Sequence, residues 1–200
     1  MARVERNASA DHNPDRAQKE KYFLSVPRYA QGDPRWGSIS FDNPGDEEDG
    51  TTMDSSGCGP SALAAVLSYR KCKEILPPEV AKKVIDNGWR LRNDGTVWDA
   101  LTGIPKLYGL KSKQVSWEEA KEALNRGIPV IQSHGKGYFT QEGHIIVLTE
   151  IHKEGPHKGE YKVVDSRTEN YRTHATESQI TSSLNKDEET GMDANWIISN

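Results

Sequence analysis

A nucleophile and a base are both recognisable in this chain, a cysteine at the mouth of a helix and a histidine where an apolar strand begins. Cys58 sits in Ser55-Ser56-Gly57-Cys58-Gly59-Pro60-Ser61-Ala62-Leu63, a run of small residues that leads straight into an apolar helix. Cysteine reacts as its thiolate, and unpaired N–H groups with the positive end of the macrodipole stabilise an anion at a helix start. Pro60 suits the first helical turn, where its missing N–H costs nothing, and the flanking glycines let a substrate carbonyl approach the backbone. The alternative is a structural cysteine filling a core, a role for which Gly-Cys-Gly-Pro is a poor surround.

A thiol nucleophile needs a base, a group that orients the base, and donors for the oxyanion. Six histidines are available. His12 lies in a polar N-terminal stretch and His174 in another, His152 and His157 flank a hairpin turn beside lysines, and His134 reads as part of a mobile rim loop, Ser133 to Gly137. His144 follows Gly143 and opens the most apolar strand of the chain, on the face shared by Ile146 and Leu148. It is the candidate base. Asp165 ends Glu160-Tyr161-Lys162-Val163-Val164-Asp165 and is the candidate orienter, with Asn170 a weaker substitute. A hairpin turn centred between Glu154 and Gly155 sets Asp165 opposite His144; one centred nearer Pro156 shifts the pair and calls for a bulge or bend. For the oxyanion the Cys58 N–H is one donor. The position six residues earlier, where a papain has glutamine, is Thr52, which leaves Gln31 as the best side-chain candidate.

The elements that must hold these residues follow from periodicity. Tyr22 to Pro27 reads as a short strand, followed by turns and an acidic loop over 42–50 with five carboxylates, taken as a solvated excursion. Ser61 to Leu76 reads as the helix behind Cys58, stopped by Pro77-Pro78, and Val80 to Ile85 as a second helix closed by Asn87-Gly88. A third starts near Gly95 to Trp98 and ends at Tyr108-Gly109. A fourth, Trp117 to Arg126, has Ser116 and Glu119 as a capping box. The second half then changes period: Ile128 to Ile131, Ile145 to Ile151, Tyr161 to Val164 and Trp196 to Ile198 read as strands. Helices followed by an antiparallel sheet make an α+β fold.

Composition limits the rest. Two hundred residues suit one domain over 21–200, preceded by a disordered tail over 1–20 that has almost no apolar pattern. Hydrophobic content is 34% and mean hydropathy −0.79, with no run near the roughly 18 apolar residues of a membrane span and no secretory signal core. The expected location is the cytoplasm, or outside the cell by lysis or a dedicated secretion machine. A net charge of −4 without a basic block argues against a nucleic-acid partner. The second cysteine, Cys72, lies fourteen residues beyond Cys58 in the same expected helix, about 21 Å away, too far for a disulfide. Two cysteines also cannot build a multi-cysteine zinc site, and the chemistry needs neither metal nor organic cofactor.

Six blocks, in order, resemble the stand-alone relatives of the bacteriocin-processing cysteine peptidases. They are Val26 to Trp36, Ser56 to Leu63, Gly95-Thr96 with Tyr108 to Leu110, Gly127 to Ile131, Gly143 to Leu148, and Val163 to Asp165, spanning about residues 22–167. The resemblance implies a papain-like fold with helices packed on an antiparallel sheet. It further implies Cys58 as nucleophile, His144 as base, Asp165 as orienter and Gln31 as oxyanion donor. The chain departs from the family in having Ser166 where proline commonly follows the acid, in its long acidic loop, and in residues 168–200, which match no block. Members that cut double-glycine leaders are usually fused to a transporter, and no such segment is read here. The expected activity is hydrolysis of an amide bond in a peptide or a bacterial cell-wall peptide. The alternatives are acyl transfer to an amine, as in transglutaminase-like relatives of the fold, and a catalytically silent binding module.

Overall fold

The structure is a computed structural model that describes residues 25–46, 50–92 and 95–200. The tail expected over 1–20 and residues 47–49 of the acidic loop lie outside the described residues, as does most of the strand expected over Tyr22–Pro27, of which Ser25–Pro27 are irregular.

The chain order is α1 (Met53–Ser56), α2 (Cys58–Lys71), α3 (Pro77–Asp86), β1 (Arg90–Leu91), β2 (Gly95–Thr96), α4 (Trp98–Leu107), β3 (Lys111–Val115), α5 (Trp117–Asn125), β4 (Val130–His134), β5 (His144–Ile151), β6 (Tyr161–Val164), β7 (His174–Ala175), α6 (Glu177–Thr181) and β8 (Asn195–Ser199). Six strands form one antiparallel sheet in the order β3-β8-β4-β5-β6-β7, and β1 and β2 form a separate ribbon.

Alternation along the central strands divides the core between the two faces of this sheet. Ile131, Ile145, Val147, Trp196 and Ile198 meet Leu63, Val66, Val80, Val84, Leu101 and Ile104 from α2, α3 and α4. Val130, Ile146, Leu148 and Val163 meet Trp117, Ala120 and Leu124 of α5 and Ile180 of α6 on the opposite face. Helix α2 is the pivot of the first layer, buried from Gly59 through Ser68 with no polar stripe. Two of its hydroxyls are deeply buried: Ser68 Oγ accepts the Ile75 N–H at 2.9 Å, while Ser61 Oγ has no hydrogen-bond partner among the described residues.

Helix α2 is shorter than expected. It ends at Lys71, and Cys72 caps it in the left-handed region with φ 47°, its N–H reaching back to Ser68 and Tyr69. Pro77 and Pro78 do not terminate α2; they open α3, where a missing N–H is free of cost. Gly95-Thr96 forms β2 rather than the start of α4. The Ser116–Glu119 capping box is present as expected, with Gly127 at φ 73° just past the helix end.

Candidate active site

Strand β5 starts at His144 and its antiparallel neighbour β6 ends at Val164, so His144 and Asp165 emerge at the same end of the sheet. Helix α2 packs on β5, and its first residue, Cys58, comes to that same end. The hairpin is centred near Pro156: Val147 pairs with Val164, and a bulge between Leu148 and Glu150 changes the register. Asp165 is therefore not directly opposite His144, yet its Oδ1 lies 2.8 Å from His144 Nε2, with both side chains buried. With Nε2 committed to the carboxylate, Nδ1 is left for the Cys58 sulfur, with which the imidazole interacts directly.

Asp165 is held by more than the histidine. Its Oδ1 accepts the Arg167 N–H and its Oδ2 the Arg172 N–H, each at 2.9 Å. Arg28 Nε donates to the Asp165 carbonyl at 2.8 Å while its guanidinium stacks on Tyr171. Burial works against the ionised carboxyl, but the hydrogen bond and charge of His144 and the two N–H donors hold Asp165 below the usual range.

The same opposition governs the pair at the centre. Burial lowers His144, but Asp165 and the Cys58 sulfur together push it up to about 9. Burial raises the half-buried Cys58 thiol, and the His144 hydrogen bond and charge, with the N–H groups of Ile145 and Gly59, bring it below its ordinary value. Both directions favour a thiolate facing an imidazolium. The pair opens into a cleft of about 920 Å³, whose lining includes Ser55, Thr96, Trp98, Ser133, Glu142 and Asn185.

Gln31 is placed differently from the other three. Its N–H donates to the Ser166 carbonyl at 2.7 Å, its Oε1 accepts the Ser166 hydroxyl at 3.1 Å, and its Nε2 donates to the Asp54 carbonyl. It thus ties the residue after Asp165 to α1, and it does not line the cleft at Cys58. Ser166, the departure from proline, supplies two of those three bonds. Thr52 is the N-cap of α1. Asn170 adopts φ 52° in the loop after Asp165, and the carboxylate that reaches His144 is Asp165.

His134 is no mobile rim residue. It is the last residue of β4, fully buried, and pairs across the sheet with His144. Asn195 Nδ2 donates to the Val115 carbonyl and Gln132 Nε2 donates to Asn195 Oδ1, so Gln132 Oε1 accepts from His134 Nε2–H at 3.1 Å and Nδ1 is left facing Ser183 Oγ at 3.0 Å. Burial first, and then the charge of His144, lowers His134 to about 3, so it stays neutral beside the imidazolium. The visible signal was Val130-x-Gln132-x-His134, a polar alternation on a face whose neighbours are all buried. His152, His157 and His174 gather at the other end of β5, the last two stacked at 3.9 Å.

A family model for the Peptidase C39-like family matches residues 23–192. No relative among the curated proteins matches the sequence. Among solved structures, the peptidase domain of Streptococcus ComA, a bi-functional ABC transporter involved in a quorum-sensing pathway, is similar at 15% identity with a TM-score of 0.55, covering 73% of this chain and 93% of that one. A C39-like peptidase from Bacillus anthracis is similar at 14% identity with a TM-score of 0.55, covering 88% of this chain and 96% of that one. These likenesses are of fold, and the fold is the papain-like one, with helices against an antiparallel sheet. Matched over most of its length, this chain belongs to the Peptidase C39-like family.

Proposed function

We propose that the chain is a cysteine peptidase that hydrolyses a peptide amide bond through Cys58, His144 and Asp165. The observation that carries this reading is the line from a lowered Cys58 thiol, through His144, to a buried carboxylate 2.8 Å away. The Cys58 thiolate attacks the carbonyl carbon, and the oxyanion so formed takes a hydrogen bond from the Cys58 N–H, which has no partner within its helix. His144 gives its proton to the departing amine, leaving an acyl group on sulfur. The neutral imidazole then takes a proton from water as the water attacks the thioester, the C–S bond breaks, and a carboxylic acid leaves. Asp165 fixes the imidazole's orientation and stabilises its charged form throughout. Gln31, expected as the second oxyanion donor, instead rests its Nε2 on the carbonyl of Asp54, four residues before the nucleophile, and in this reading braces α1 against the loop that follows Asp165.

The test is a mixture of acetylated synthetic peptides, and in parallel soluble peptides released from bacterial cell walls, incubated with wild-type and Cys58→Ala protein. The wild type is expected to create new α-amino termini, with an acyl adduct on the Cys58 peptide at short times. New termini produced equally by Cys58→Ala would end the proposal. Ligated products on addition of an amine, at the expense of hydrolysis, would replace it with acyl transfer.

A further inference from the structure

A polar pair lines the cleft one strand away from the nucleophile. Along β4, Val130 packs on the α5 side of the sheet and Ile131 on the α2 side, so alternation returns Ser133 to the α2 side. There it stands directly opposite Ile145 of β5, whose N–H reaches the Cys58 sulfur. Ser133 is only 6% exposed, and it lines the cleft together with Asn185, Cys58 and His144.

Asn185 is fixed to that strand by its backbone. Its N–H donates to the Ser133 carbonyl at 3.0 Å, and its own carbonyl accepts the Ala194 N–H at 2.8 Å. The side chain is held too, with Nδ2 donating to Ser133 Oγ at 3.1 Å. Gly135 leaves room for the amide, since a Cβ there would fall 2.9 Å from Asn185 Oδ1. With its oxygen already accepting, the Ser133 hydroxyl has a hydrogen to give, and among the described residues it has no acceptor. The second Nδ2 hydrogen and the Oδ1 of Asn185 are likewise unengaged among the described residues. The pair thus offers two donors and one acceptor, all uncharged, on a rigid support.

Those groups restrict what can bind them. An ammonium has only hydrogens to offer and meets two donors. A carboxylate has only acceptors and meets Oδ1, with Glu142 lining the same cleft. An apolar side chain strips the pair of water and satisfies none of it. A primary carboxamide gives an N–H to Oδ1 and takes the donors on its carbonyl. We propose that Ser133 and Asn185 form a side-chain pocket that selects a glutamine- or asparagine-type carboxamide close to the scissile bond. Neighbouring strands lie about 4.8 Å apart, so the pocket is within reach of a residue one or two places from the attacked carbonyl. The proposal rests on the peptidase reading and adds to it a substrate class.

The test incubates a mixture of acetylated, sequence-randomised decapeptides with wild-type protein, with Cys58→Ala as control, and reads the new termini by mass. Glutamine or asparagine is expected at one fixed position within two residues of the cut, favoured about tenfold over leucine, methionine and glutamate, the worth of roughly one net hydrogen bond. Ser133→Ala should reduce that preference several-fold. In the double variant Ser133→Ala/Asn185→Leu, where both partners become apolar together, the preference at that position should pass to leucine or methionine. Urea unfolding reports whether each variant folds, and the wild-type profile decides the first point in either case. Cys58-dependent cleavage without a carboxamide preference near the cut, or with the same preference in the folded variants, would overturn the pocket and leave the peptidase reading intact. No Cys58-dependent cleavage of any peptide would instead remove the peptidase reading, and this proposal with it.

Discussion

At the scale of single residues the site is a contest between burial and pairing, which pairing wins at Cys58, His144 and Asp165. Asp165 matters through His144, so Asp165→Asn, which keeps the shape and removes the charge, lowers the histidine from about 9. With less imidazolium beside it the thiol rises, and the acid limb of Cys58 alkylation is expected to move up toward the free-cysteine value of about 8.5. Rate against pH for the variant and the wild type checks this. Gln31→Ala removes the tie between Ser166 and Asp54 and is expected to cost about 1–3 kcal/mol of stability, which urea unfolding reads. Cys58 and His144 were legible because chemistry restricts their surroundings, small residues at a helix mouth and the first residue of an apolar strand. Asp165 was legible as a residue, but its distance from His144 depended on a bulge, and one extra residue in a strand leaves no mark in composition. The hydrogen bonds of Gln31 join segments far apart in the chain, and no local pattern announces them.

At the scale of elements, the start of α2 and the ribbon beside it act as one unit. Gly59→Ala would drive a methyl group to 2.6 Å from Thr96 Oγ1 and 2.7 Å from its Cβ, displacing either β2 or the first turn of α2. Overpacking of this kind costs about 1–3 kcal/mol, an effect measurable by urea unfolding, and the displacement should also slow alkylation of Cys58. The helices were readable wherever caps were explicit: Ser116 with Glu119, and Asn87 with Gly88 at φ 70°. They were misread where a residue served the next element, as Pro77 and Pro78 do. Strand β3 escaped notice because Lys111-Ser112-Lys113-Gln114 looks like loop. It is an edge strand, where exposed lysines are expected to discourage pairing with another chain.

For the whole molecule, the decisive arrangement is that the last strand, β8, lies between β3 and β4. Residues beyond 168, which match no block of the resemblance, thereby supply an interior strand of the sheet, with Trp196 buried against Trp98 at 5.4 Å between ring centroids. Order along the chain says little about order across a sheet, so the α+β class could be read but this strand order could not. The far end of the sheet has its own titration. Burial, then the charges of His157 and His152, lowers His174 from its ordinary 6.5. The folded state therefore binds fewer protons there than the unfolded one, so stability rises with pH below about 6.5 and is lost as pH falls through the folded-state value. His174→Gln is expected to flatten the slope of stability against pH in that window. Urea midpoints between pH 5 and 7 measure it, and an unchanged slope would contradict it.

The central claim is a thiolate at Cys58 maintained by His144. Iodoacetamide labelling of wild-type and His144→Ala protein across pH 4 to 9, read by peptide mass with exposed Cys72 as the internal reference, tests it most directly. The account predicts fast alkylation of Cys58 well below pH 7, and loss of that reactivity in His144→Ala, with Cys72 labelled alike in both proteins. Cys58 labelling no faster than Cys72 at pH 6, or equally fast without His144, would contradict it.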